Sequence, residues 1–268
     1  MFHRFLPAGA CLAVALWSGL APAEPARLSK EEMAKAARID GVTIPTAGEV
    51  FEAINKQGKP NWQTSYRAPI STNYSSRPQM ALNIGGLIAD GYIAVAAEDK
   101  QQVKNTGKDI VTLAKALGVS QNVLSRGNSI TDFAENNEWS ALKEELEATQ
   151  NEVKLALMQQ NDRELIIMVT LGGWIRGTEV VSGWICGNYT PDAAKLLRQP
   201  ALVAFLRSKI RDLPEKTQSD ALVKSVEAKL EGIEQMVSFP RDQTPTIDDV
   251  KKLKDASSAL VKEISSKP

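Results

Sequence analysis

LIIMVTLGGWIRGTEVVSGWICG, residues 165–187, is the most apolar stretch of the chain beyond its first two dozen residues. It contains a short internal echo. Gly173-Trp174-Ile175-Arg176-Gly177 returns ten residues later as Gly183-Trp184-Ile185-Cys186-Gly187. At about 100° per residue, Gly172, Gly173, Gly177, Gly183 and Gly187 fall on one side of a helix. Each glycine costs about 1 kcal/mol against alanine in a helix interior, so something must offset the set. Close approach of a second helix backbone is the simplest compensation, and Gly85-Gly86 within Leu82–Val95 is the natural partner. If the helix instead broke at Gly183 or Gly187, the later glycines would form a C-cap.

The uncharged run ends after Ile175, and Arg176 and Glu179 follow. A membrane span needs about twenty apolar residues, and a central charge costs about 2.5–3.5 kcal/mol. A buried helix is therefore expected, with no transmembrane helix in the mature chain. Arg176 and Glu179 are three apart and share a helix face. Asn83 and Asp90, seven apart, are similarly placed on the other glycine-bearing helix. If the two helices pack, Asp90 can pair with Arg176. A buried charge requires such a partner. Asn83, Asp90, Arg176 and Glu179 thus form a candidate buried polar cluster. It reads either as an ion pair fixing helix register or as a polar pocket supplying carboxylate acid/base chemistry.

Outward from this centre, nearly every periodic stretch reads as helix. Thr46-Ala47-Gly48-Glu49 and Ser29-Lys30-Glu31-Glu32 are capping boxes. Pro78 suits the first turn of a helix reaching about Ala97. Val103, Ile110, Leu113 and Leu117 mark the next, which stops at Gly118. Leu142, Leu146, Val153 and Leu157 stripe a charged helix over about 137–160. Thr190-Pro191 restarts a helix, and Leu202, Phe205, Leu206 and Ile210 mark another. Two amphipathic helices close the chain, striped by Leu222–Val237 and Val250–Ile264. Val42-Thr43-Ile44 is too short to build a sheet. The expectation is an all-α fold, a single bundle-like domain of about eight helices over 24–213. Residues 214–268 form a helical hairpin packed on that core or appended to it.

The first 23 residues read as a signal peptide. Phe2-His3-Arg4 is the n-region, Leu6–Leu20 is apolar, and Ala21-Pro22-Ala23 is a small-x-small cleavage pattern. A cut after Ala23 predicts a periplasmic or secreted protein. It would also remove His3, the sole histidine, and Cys11, leaving Cys186 as the one thiol. Cys186 stands in an apolar setting and reads as a small buried hydrophobe. Loss of Arg4 leaves 31 basic residues against 32 acidic. This balance gives no general attraction to nucleic acid or anionic lipid.

The remaining motifs exclude more than they assign. Ser140-Ala141-Leu142-Lys143 has the S-x-x-K spacing of serine acyl-enzymes, but K-T-G is absent and Ser219-Asp220 is followed by alanine. No phosphate-cradling glycine motif occurs. Without histidine a zinc site is unusual, and no calcium-loop spacing is present. No metal and no cofactor is expected. The irregular stretch over 58–77 carries Trp62, Tyr66, Arg67, Tyr74 and Arg77, side-chain types enriched at binding hot spots, and is the candidate binding loop.

These readings favour an exported, non-catalytic helical binding or scaffold protein of the cell envelope. Its partner would be an unidentified protein or small molecule, not nucleic acid. The alternative is a histidine-free hydrolase or lyase using Asp90 and Glu179 with Arg176. Homo-oligomerisation through the C-terminal hairpin is a further expectation left open.

Overall fold

The computed structural model describes residues 29, 31, 38–39, 42–119 and 121–267. The expected leader, its cleavage site, His3 and Cys11 lie outside them, as does most of the first expected helix. The described chain is all-α apart from one two-residue ladder, β1 (Arg38–Ile39) against β2 (Val42–Thr43). That ladder is antiparallel, with Ile39 opposite Val42.

Helix α1 (Ala47–Gln57) starts at the Thr46 capping box. The Glu49 backbone N–H donates to Thr46 Oγ1 at 3.2 Å, and the Thr46 N–H donates to Glu49 Oε2 at 2.7 Å. A 3-10 turn follows at Trp62–Ser65. Helix α2 (Arg77–Ala96) begins at Ser76, whose hydroxyl accepts from the Gln79 N–H, with Pro78 in its first turn. Helix α3 (Lys100–Ala116) ends on Gly118, whose φ of +76° suits glycine. There the Val119 N–H reaches back to the Ala114 carbonyl and the Gly118 N–H to Lys115, a Schellman closure.

Helix α4 (Gln121–Glu135) has no counterpart in the sequence reading. Its visible stripe is thin, with Ile130 and Ala134 buried and Phe133 packed partly against the core. Its hold on the bundle is partly ionic. Arg126, 1% exposed, donates to Glu145 (3.0 Å) and Glu152 (2.6 Å) on helix α5 (Trp139–Gln159).

Helix α6 (Arg163–Gly187) runs unbroken through both halves of the glycine echo. It is long and apolar enough to cross a membrane by length and composition, and 83% of its most apolar 18-residue window is buried inside the protein. Beyond it come α7 (Pro191–Lys195), α8 (Pro200–Arg211), α9 (Glu215–Gln218), α10 (Ala221–Val237) and α11 (Ile247–Ser265).

The most extensive contact in the bundle is between α2 and α6, and the next is α11 on α6. The C-terminal hairpin is thus packed on the core. Its end is received by α2. The carbonyl of Ile264, in the last turn of α11, accepts from Asn83 Nδ2 (2.8 Å) and Gln79 Nε2 (3.0 Å), and Tyr74 Oη donates to the Ser265 carbonyl (3.1 Å). The last carbonyls of a helix have no partner within it. Buried amides on α2 meet that need here.

Candidate functional site

The α2–α6 contact is made by backbone. A Cβ built on Gly85 would lie 1.9 Å from the Val169 carbonyl oxygen, and one on Gly172 would lie 1.9 Å from that of Leu82. Real Cβ atoms do not approach so closely, so the helices touch there only because both positions are glycine. A Cβ on Gly173 would stand 3.3 Å from the Gly85 carbonyl oxygen. The expected glycine partnership is therefore present at Gly85, Gly172 and Gly173. Gly177, Gly183 and Gly187 differ, because a Cβ on any of them would meet nothing within 4 Å.

The close approach sets Asp90 beside Arg176. Arg176 Nε donates to Asp90 Oδ1 at 2.8 Å, Nη1 to Glu179 Oε2 at 2.6 Å, and Nη2 to the Ser65 carbonyl at 2.5 Å. Arg67, from the loop, donates through Nε to Asp90 Oδ2 at 2.7 Å, with its Nη2 2.6 Å from the same oxygen. Gly86 leaves room for it, since a Cβ there would stand 3.2 Å from Arg67 Nη2. Two arginines and two carboxylates balance in charge. Burial opposes the Arg176 charge, and Asp90 and Glu179 outweigh it, so its pKa lies above the ordinary arginine value. Asn83 does not join this group. Its amide donates to the carbonyls of Gln79 (2.9 Å) and Ile264, leaving Oδ1 buried without a partner. None of the principal clefts among the described residues is lined by Asp90, Arg176 or Glu179.

The five residues of the expected binding loop all turn onto the protein. Trp62 is buried, its ring tilted by 49° against that of Phe51 with centroids 5.1 Å apart. Tyr66 Oη donates to Asp99 (3.3 Å), Arg67 holds Asp90, Tyr74 holds the end of α11, and Arg77 pairs with Asp162 at 2.6 Å. As placed, Trp62, Tyr66, Arg67 and Tyr74 help seal the bundle, while Arg77 stays exposed. The S-x-x-K pair is no better provided: Ser140 is exposed and Lys143 pairs with Glu52. Cys186 is half-buried. Burial raises its thiol pKa against the opposing pull of Lys254 and Lys251, so the thiolate is disfavoured at neutral pH. Among the described residues, no cluster of three or more His, Cys, Asp or Glu is placed to hold a metal ion.

A second site was not foreseen. Where α2 and α6 meet α5, a cleft with about 40 Å³ of enclosed space, opening to solvent at its mouth, is walled by Ile88, Val169 and Val181 and floored by Gly85, Gly173 and Gly177. The open space beside Gly177 is part of it. Its mouth continues along α1 past Pro45 and Val50 to Ala53. Lys154 lines it. This residue is 2% exposed and forms no hydrogen bond or ion pair with any described group. Desolvation alone lowers its pKa to about 8. One turn earlier on α5, the Gln150 side-chain oxygen is buried without a partner, and so is the Thr170 hydroxyl of α6. At the rim Trp174 Nε1 donates to Gln199 Oε1 at 2.8 Å. Lys154 is the one ionisable residue among those lining the cleft. Native cores rarely leave a charge and two polar atoms unpaired around one space.

The signal for Lys154 was faint in the sequence. It adjoins Val153 of the apolar stripe, where a lysine reads as a solvated flank. No family model, no curated protein and no solved structure matches the chain.

Proposed function

We propose that this chain is a non-catalytic binding protein that takes a small, mainly apolar ligand into the cleft between α2, α5 and α6. The observation that carries this reading is the set of three polar groups, Lys154, Gln150 and Thr170, unpartnered around an otherwise apolar cleft. Apolar walls with a few polar groups among them are the usual lining of small-molecule sites. The Asp90–Arg176–Glu179 group supports a structural role instead. Its carboxylates are engaged by arginines, which leaves little for acid/base chemistry. The N-terminal pattern supports a role outside the cytoplasm, with the mature chain beginning at Glu24, a start that N-terminal sequencing of the exported protein checks.

Nile red, an uncharged apolar dye, tests the cleft. Its fluorescence should rise on addition of the protein, and Gly177→Leu should abolish the rise, because a Cβ there meets nothing within 4 Å and the rest of the side chain would extend into the cleft. Unchanged dye uptake by a folded Gly177→Leu protein would remove the cleft from consideration.

A further inference from the structure

The polar groups of the cleft define what an occupant must offer. Resting on the reading of the cleft as a binding site, we infer that its ligand is a linear amphiphile with a single carboxylate, the head group set against Lys154 and Thr170 and the chain running along the glycine floor toward α1. Four observations point this way.

First, among the described residues lining the inner cleft there is one cation and no anion, Glu49 standing at the mouth. A buried ammonium is stabilised by one opposite charge in contact with it, so a monoanion is complementary where a neutral ligand is not. Second, the donors are few. The Lys154 ammonium and the unpartnered Thr170 hydroxyl match the two oxygens of a carboxylate, with Gln150, Thr178 and Gln199 as further polar side chains of the lining. Phosphate and sulfate groups are usually met by arginine forks or helix N-termini, and no arginine is among the described residues lining the cleft. The Gln150 amide, turned over, presents a third donor to the same head group.

Third, the floor is backbone. Gly85, Gly173 and Gly177 project no side chains, and Ile88, Val169 and Val181 are aliphatic. A slender alkyl chain fits such a slot. Fourth, the size is bounded. The enclosed part of the cleft is about 40 Å³, room for the head group and the first atoms of the chain. The neighbouring opening beside Pro45, Val50 and Ala53 gives the tail its way out.

The proton on Lys154 makes the interaction pH-dependent. Among the described residues no other titratable side chain lines the inner cleft, and Glu49 of α1 lines its mouth beside Val50 and Ala53. Only the ammonium attracts the carboxylate. Affinity should be level below the amine's pKa of about 8 and fall about tenfold per pH unit above it, until the bound-state value is reached.

The test is titration calorimetry of the full chain with two probes of equal length, dodecanoate and dodecanol. The expected result is tighter binding of dodecanoate at pH 7, weakened about ten- to a hundredfold by Lys154→Met, the worth of a hydrogen bond to a charge. Thr170→Val, which keeps the shape of the side chain, should weaken it several-fold. Dodecanol should be insensitive to Lys154→Met and to pH. Lys154→Met is not expected to unfold the protein, because it replaces a buried amine with an apolar chain of similar length, and a melting curve checks this. Equal binding of the two probes, unaffected by Lys154→Met, would overturn the carboxylate inference and leave the apolar-ligand reading standing. Failure of both probes and of Nile red in the unmodified protein would remove both.

Discussion

Lys154 concentrates the tension between stability and function in one side chain. Its pKa falls from 10.5 to about 8 because burial penalises the ammonium and no carboxylate compensates. The unfolded chain holds this proton more tightly than the folded one. Folding is therefore penalised wherever the unfolded lysine is protonated, and the penalty is relieved as pH rises from about 8 to about 10.5. A shift of this size amounts to about 3 kcal/mol at neutral pH, taking 1.36 kcal/mol per pKa unit. Lys154→Met should raise stability by an amount of that order at pH 7 and flatten the rise between pH 8 and 10, as read by urea denaturation at several pH values. A smaller residue-scale effect lies at Glu98, the residue after the α2 C-cap. It holds φ at +54°, and the Asp99 N–H reaches the Ala94 carbonyl in the same Schellman closure that Gly118 makes for α3. A left-handed conformation costs a residue with a Cβ about 1–2 kcal/mol. Glu98→Gly should recover about 1 kcal/mol, visible as a raised denaturation midpoint.

At the scale of elements, one glycine face does two jobs. Gly172 and Gly173 meet the backbone of α2, and one turn later Gly177 opens into the cleft. The same substitution should thus act in opposite directions along α6 and its partner. Gly85→Ala places a methyl against the backbone of α6, which cannot yield as a flexible side chain would. It should cost about 3 kcal/mol, the upper part of the range for overpacked sites. Gly177→Ala meets nothing and gains helix propensity, so it should stabilise by up to about 1 kcal/mol. Thermal denaturation of the two variants side by side checks the contrast, and equal effects would remove the distinction. The glycine pattern was legible because spacing alone puts those residues on one side. Which of them touch a neighbour was not, since it depends on where α2 and α6 part. Helix α4 escaped notice for a related reason. Its stripe is short, and the Arg126 pairs with Glu145 and Glu152 that tie it to α5 leave no trace in hydrophobic periodicity.

Across the whole molecule, the Asp90 cluster joins three parts of the chain distant in sequence. Arg67 and Ser65 bring the loop over 58–77, Asp90 brings α2, and Arg176 with Glu179 brings α6. Removing the central charge should loosen all three. Asp90→Asn leaves two arginines without their shared carboxylate, and breaking a buried pair in this way typically costs about 3–5 kcal/mol. Hydrogen exchange should show faster opening in the loop as well as in α2 and α6. An effect confined to α2 would mean that the cluster does not couple them. The loop also shows why the roles of its aromatic and arginine side chains are not legible in the sequence. Hot-spot residue types are equally suited to sealing a core, and the direction each side chain takes is fixed only when Phe51, Asp90, Asp99 and the end of α11 are in place.

The sequence by itself determined the helical class, most helix limits and the pairing of two glycine-bearing helices. Those properties follow from local periodicity, caps and the steric demand of close backbone contact. It also nominated Asp90, Arg176 and Glu179, because charges in an apolar run require partners. Only the tertiary structure decided that Arg67 completes that group, that Asn83 leaves it to hold the end of α11, and that Lys154 lies unpaired beside an apolar cleft. Burial and pairing belong to the space between elements, and a lysine at the edge of a stripe is solvated or buried according to what packs over it.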